Sequence, residues 1–403
     1  MRRIRNSLIE GAALLTVCLL NIAQWHQALH VLPIAAALAR RGDVDVHVAV
    51  ARPSSIAPAR ALCEALGATG VRFRALWPKP FEALVAPADH PPKRLMLAAA
   101  APFLARCDAL VAPERTSLFL KRIGVRRPLM IHSDHGAGDR AVGYEPRIAQ
   151  FDFALLAGAK QEARMLRERL IQPGRYRIVG YPKFEAARAS REGEGRLFPA
   201  ARPTVLYNPH FDPELGSWDR RGLEVLQAFA GQRRFNLIFA PHLRLAQRVR
   251  GLADQVATFA ALPHIHVDLG GPRSCDMTYV RAADVYLGDV SSQVYEFIAR
   301  PRPCAFLDAG GVLDPHDPNT AHARLGPIGR EGGGVLALVD EAVQTFGAYH
   351  ARQLAAFGDT FDLAERSCSE RAAEAVVDAV AQARRLRRPS PLGRPVFARE
   401  PAS

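Results

Sequence analysis

Four stretches of this chain carry side chains able to move protons or hold phosphate, and each follows an apolar run. The first is Pro128-Leu129-Met130-Ile131-His132, which runs into Ser133-Asp134-His135-Gly136-Ala137-Gly138-Asp139-Arg140. Histidine titrates near neutrality, so His135 could take a proton from an attacking hydroxyl. Glycines at 136 and 138 permit tight turns and close backbone approach to a ligand. The plainer alternative is a polar loop with a structural histidine, and that reading suits His132. The second stretch is Val179-Gly180-Tyr181-Pro182-Lys183, which could equally be a domain connector.

The third is a pair: Tyr207-Asn208-Pro209-His210 and Ala240-Pro241-His242-Leu243-Arg244. Each reads as a strand exit carrying proline and then histidine. Adjacent parallel strands would bring His210 and His242 together as donors to phosphate oxygens. Proline before a helix is also ordinary punctuation. The fourth, Asp289-Val290-Ser291-Ser292, stands between a strand and a helix. Free N–H groups at a helix start favour an anion, and the hydroxyls add donors. Asp289 or Ser291 could also simply cap the helix.

Other chemistries lack their signatures. There is no GxGxxG at the first strand and no GxxxxGK[ST] anywhere. A dinucleotide fingerprint and a P-loop are therefore unsupported. His264-Ile265-His266 would put both rings on one face of a strand, which alone is poor support for a zinc site. The six cysteines are scattered without a CxxC, as expected of buried free thiols in a reducing compartment.

These strand ends must be placed by a scaffold. The 403 residues suit two or three domains. The composition, 49% hydrophobic and 23% charged, is that of a globular protein. Net charge is +13, which must meet a nucleotide, nucleic acid or an acidic membrane. No helix-turn-helix, RNP or zinc-finger pattern supports nucleic acid. Arg2, Arg3 and Arg5 ahead of Gly11–Leu20 imitate a signal peptide, yet Glu10 abuts the run and no A-x-A site follows. Leu14–Ile22 is read as a buried first strand.

Strand and helix then alternate, which implies parallel sheets. A loop with Trp25, His26 and His30 precedes a helix over Val31–Arg41. Leu243–Ala261 reads as one long helix, Ser291–Ala299 as a helix, and Val335–Val339 as a late strand. The expected fold is α/β, with two Rossmann-like domains whose parallel sheets face a central cleft. Expected limits are residues 1–187, residues 188–345, C-terminal helices over 346–386 packing back across the domains, and a disordered basic tail over 387–403. In such sheets ligands bind beyond the carboxyl ends of the strands.

The order His-Gly, Gly-Tyr-Pro-Lys, Tyr-Asn-Pro, Pro-His and Asp-x-Ser-Ser resembles the CDP-glycerol glycerophosphotransferase family, the teichoic acid primases and polymerases of GT-B fold. The match spans roughly Ile131 to Leu307. The resemblance implies transfer of glycerol phosphate, or a related polyol phosphate, from a CDP-linked donor to a glycan or lipid-linked acceptor. It implies His135 as base, His242 at the donor pyrophosphate, and Asp289, Ser291 and Ser292 at the donor phosphates or ribose. His26 matches the family's N-terminal substrate loop.

Departures from the pattern are specific. Arg140 stands where a lysine is usual, and Ala240 precedes Pro-His in place of a cation, with Arg244 following. Val290 replaces tyrosine, and Lys183 replaces arginine. The expected catalytic residues are thus His135 and His242. Arg244, Asp289, Ser291, Ser292, His210, Gly136 and Arg140 are expected at the donor or its phosphates, and His26 and Lys183 on the acceptor side. No metal, cofactor or nucleic acid is expected. The expected location is cytoplasmic, or peripheral on the inner membrane face through Arg2–Arg5 and Arg384–Arg388. Two alternatives share the fold: a sugar-nucleotide glycosyltransferase or UDP-GlcNAc 2-epimerase, and a catalytically degenerate binding protein.

Overall fold

A computed structural model describes residues 14–77, 91–190, 195–330 and 332–387. The first parallel sheet holds β1 (Leu15–Asn21), β2 (Val44–Val50), β3 (Arg72–Ala75), β4 (Ala109–Ala112), β5 (Leu129–Ser133), β6 (Phe153–Leu156) and β7 (Tyr176–Ile178). Its order is β3-β2-β1-β4-β5-β6-β7. The second holds β8 (Thr204–Asn208), β9 (Asn236–Phe239), β10 (Ile265–Val267), β11 (Val285–Gly288), β12 (Cys304–Leu307) and β13 (Ile328–Gly329), in the order β10-β9-β8-β11-β12-β13. All pairings are parallel. This is the expected pair of Rossmann-like sheets.

Burial explains why the strands are so apolar. β4, β5, β8, β9, β11 and β12 are buried at every position, as helices on both faces of a parallel sheet require. Strand order reverses between β1 and β4 in one sheet and between β8 and β11 in the other. Crevices open at such switch points beyond the strand ends. The four chemically equipped stretches leave β5, β7, β8, β9 and β11 there.

Several elements differ from expectation. His26 and His30 lie on a helix, Trp25–Arg41, and not in a loop. That helix is buried on nearly every side from Gln27 to Leu38, so tertiary packing holds its first turn. It ends at Gly42, whose left-handed φ of 76° suits glycine. The stretch Leu243–Ala261 is two helices, Leu245–Arg248 and Leu252–Ala260, broken at the left-handed Gly251. Val335–Val339 is helical, the start of a long helix Val335–Thr360. The last strand is instead the two-residue β13, paired to β12. The helix expected over Ser291–Ala299 spans only Gln293–Phe297.

The chain passes between the sheets twice. It goes forward through the helix Lys183–Ala189, and it returns after Val335–Thr360 into the helix Cys368–Arg387. This last helix packs on Trp25–Arg41 and on β5 and β6. All six cysteines are buried free thiols. Among the described residues no helix is long and apolar enough to cross a membrane. Arg2, Arg3, Arg5, Arg388 and the rest of the expected tail lie outside the described residues, and Arg384 pairs with Asp108 at 2.7 Å.

Candidate active site

A cavity of about 730 Å³ lies between the carboxyl ends of the two sheets. From the first domain it is lined by His26, His135, Gly136, Gly138, Arg140 and Lys183. From the second, His242, Arg244, Ser291 and Ser292 complete it.

His135 stands two residues beyond the end of β5. Its backbone N–H donates to Asp134 Oδ1 at 2.7 Å. Its ring Nδ1 lies 2.9 Å from the carbonyl of Pro113, just past β4. A carbonyl can only accept, so Nδ1 carries the proton and Nε2 is left as the basic nitrogen. The ring of His26 leans on it, with centroids 5.6 Å apart.

Across the cavity, His242 Nδ1 accepts the backbone N–H of Arg244 at 3.2 Å. The neutral ring therefore presents Nε2–H as a donor. Burial, then the charges of Arg140 and Arg244, push its pKa down to about 3. The Arg244 guanidinium rests 4.2 Å from the centre of the Phe211 ring. Arg140 is held by its Nη1 at 2.7 Å from His210 Nε2. Neither arginine forms an ion pair among the described residues, so both leave positive charge in the cleft. Burial lowers the pKa of Arg140, against the raising charges of Asp212 and Asp289.

His210 is corrected from phosphate ligand to support. It is buried and absent from the cavity wall. Its Nε2 faces Arg140, and its Nδ1 faces the N–H of Asp212 at 3.1 Å. A neutral ring accepts at only one of these nitrogens, and a second ring proton would face a donor. Burial and then the Arg140 charge push it down to about 2. Asp289 is corrected likewise. It is 1% exposed, and its carboxylate accepts from His210 N–H, Ser217 N–H and Ser217 Oγ–H. It ties the exits of β8 and β11 together and does not face the cavity. Burial pushes its pKa up to about 6 against these donors.

Ser291 Oγ donates to Asn208 Oδ1 at 3.1 Å and accepts the N–H of Gln293, a capping contact that leaves it on the cavity wall. Ser292 faces Gly136 and Gly138 of the other domain. The helix behind these serines is a single turn, so their hydroxyls outweigh any helix dipole. Lys183 is not a free cation. Its Nζ sits 2.7 and 2.8 Å from the two oxygens of Glu296, which also accepts from Tyr181 OH. Glycine at 138 lines the cavity and also allows close contact between the domains. A Cβ there would lie 2.9 Å from Ser292 Cβ.

The sequence reading missed a buried cluster beside the site. Asp139 accepts from Tyr295 OH at 2.7 Å, from Lys160 Nζ at 3.1 Å and from His322 N–H at 2.9 Å. His322 Nε2 lies 3.0 Å from the carbonyl of Asp289. These contacts pin the loop after β5 to the second domain and hold Asp139 well below the usual carboxylate range. Asp139 follows the His-Gly motif closely in sequence, but Tyr295 and His322 are 156 and 183 residues away. No local pattern announces such partners.

Known structures share this architecture. A putative UDP-N-acetylglucosamine 2-epimerase from Listeria monocytogenes is 12% identical, with a TM-score of 0.61 over 94% of this chain and 99% of that one. The wall teichoic acid polymerase TagF, in a structure soaked with CDPG, is 11% identical, with a TM-score of 0.60 over 96% and 97%. MnaA of S. aureus, solved with UDP, is 11% identical, with a TM-score of 0.57 over 95% and 100%. No family model and no curated protein matches the chain. At these identities the likeness is one of fold: the chain is built on the two-domain architecture common to UDP-sugar epimerases and the teichoic acid polymerase, which is the fold its motif order implies.

Proposed function

We propose that the protein transfers a polyol phosphate, with glycerol phosphate the leading case, from a CDP-linked donor to a hydroxyl of a glycan or lipid-linked acceptor. One observation carries the reading. A histidine with its Nε2 unprotonated faces the cleft from one domain, a histidine with its Nε2–H available faces it from the other, and Arg140 and Arg244 stand near the second without ion pairs among the described residues.

The parts suit phosphoryl transfer. The acceptor hydroxyl gives its proton to His135 Nε2 and attacks the distal phosphorus of the donor, and CMP leaves. The Asp134 and Pro113 contacts keep the His135 ring in that orientation. Charge developing on the phosphates meets His242 Nε2–H, Arg140, Arg244 and the hydroxyls of Ser291 and Ser292. Positioned donors of this kind supply most of the stabilisation in such reactions. His210 and Asp289 act by holding Arg140 and the loop after β8. His26 and the buried Lys183–Glu296 pair border the acceptor side. An acceptor in an anionic leaflet would draw the basic chain to the inner membrane face through the arginines near its two ends.

The test is a donor panel. Purified protein is titrated calorimetrically with CDP-glycerol, CDP-ribitol and UDP-N-acetylglucosamine, and CMP release is followed by 31P NMR. CDP-polyols are expected to bind more tightly and to release CMP in a His135-dependent manner. Binding or turnover of the UDP-sugar alone would replace this reading with the epimerase or glycosyltransferase one. Binding of none of them would favour a degenerate binding protein.

A further inference from the structure

Glu296 borders a second cavity, of about 580 Å³, that does not include the histidines. It lies where the chain passes between the domains. The forward passage contributes Phe184 and Arg188, and the return passage contributes Phe357, Leu363 and Ala364. Met277 and Val280 add to its apolar wall. Its size is that of small-molecule pockets.

Its lining carries five arginines against three glutamates. Arg188, Arg281 and Arg300 are exposed at its border, and none forms an ion pair among the described residues. Arg302 is buried, and its guanidinium donates to the backbone carbonyls of Val280, Ala283 and Phe297 with no carboxylate beside it. The nearby acids are fewer, and Glu185 keeps its charge while hydrogen-bonded. Glu296 holds Lys183, and Glu185 accepts from Ser367 and Ser369. Glu365 alone stands exposed and uncommitted at the border. An apolar wall under unpaired arginines fits a molecule with an apolar body and an anionic head.

We propose that this cavity is a binding site for a single-chain anionic amphiphile. Its chain lies against Phe184, Phe357 and Leu363, and its phosphate or carboxylate head among Arg188, Arg281 and Arg300. Such an occupant touches both passages between the domains. A ligand that prefers one domain arrangement shifts the population towards it. It also touches Glu296, whose partner Lys183 lines the cleft. The site thus acts as an effector site, and its occupancy does not depend on which donor the cleft uses.

Binding of dodecyl phosphate below its micelle concentration tests this, read by calorimetry and by hydrogen exchange. It should bind at least tenfold more tightly than dodecyl maltoside or glycerol phosphate, and it should slow exchange in residues 183–189 and 361–368. The double variant Arg188→Glu/Arg300→Glu, at exposed positions, should weaken it at least tenfold. Ala364→Trp, which fills the mouth, should abolish it with the melting temperature retained. Equal binding of dodecyl maltoside, equal binding of glycerol phosphate, or unchanged affinity in the charge-reversed variant would each overturn the proposal.

Discussion

Gly138 and Ser292, on opposite domains, approach so closely that a Cβ on the glycine would lie 2.9 Å from that of the serine. The backbone of Ser292 is close behind, with its Cα 3.4 Å from that point. The Ser292 Cβ is fixed to its backbone, so relief requires a backbone shift. Gly138→Ala should therefore destabilise the protein by about 1–3 kcal/mol, as overpacking does. It should also depress turnover by spreading the cleft. Gly143→Ala, where nothing lies within 4 Å, is the control. Equal melting temperatures for the two variants would refute the contact.

His135→Asn removes the basic Nε2 and keeps a polar side chain. Transfer should fall roughly 10²–10⁴-fold, the usual contribution of a positioned base. Donor affinity should change little, because the groups set to meet the phosphates are His242, Arg140, Arg244 and the two serines, not His135. His242→Ala should do the reverse and weaken donor binding roughly tenfold or more, as loss of a hydrogen bond to a charged group does. Calorimetry with CDP-glycerol beside single-turnover rates separates the two. A loss of affinity at His135 with donor binding intact at His242 would exchange the roles.

The buried histidines make the fold sensitive to acid. His242 is pushed down to about 3, His210 to about 2 and His132 to about 4, and His30 well below its ordinary value, each chiefly by burial. All are neutral in the folded protein. Below about pH 6.5 the unfolded chain takes up protons that the folded one cannot. Stability should thus fall as pH drops from about 6.5 towards 4. Asp289, raised to about 6, works in the opposite direction over part of that window, but it is one group against four. Urea midpoints at pH 7.5 and 5.0 check this. A midpoint that is unchanged or higher at pH 5.0 would contradict it.

Lys183 and Glu296 form a buried pair whose side chains are 6% and 4% exposed. Removing one partner strands a charge, so Lys183→Met or Glu296→Leu alone should each cost about 3–5 kcal/mol. The double variant should recover most of that loss, because neither charge then remains buried. A double variant no more stable than the singles, in chemical denaturation, would show that the pair is not coupled.

Much of the arrangement was legible along the chain. Apolar runs ending in His135, His210, His242 and Ser291–Ser292 belong to parallel strands, and parallel strands carry polar chemistry at one end because their faces are covered. That rule alone places the motif-bearing ends at one cleft. Which way each side chain turns was decided elsewhere. Asp289 and His210 sit in motifs as prominent as His242's. Yet Ser217 and Arg140 claim them, and burial in those contacts removes them from the cavity. Lys183 is neutralised by a glutamate 113 residues away. The helix bearing His26 packs on the last helix and on the first two strands, a condition no local propensity contains. Strand-end chemistry is set by residues adjacent in sequence and survives in it. Partner choice is set by distance in space, and only the tertiary structure holds that information.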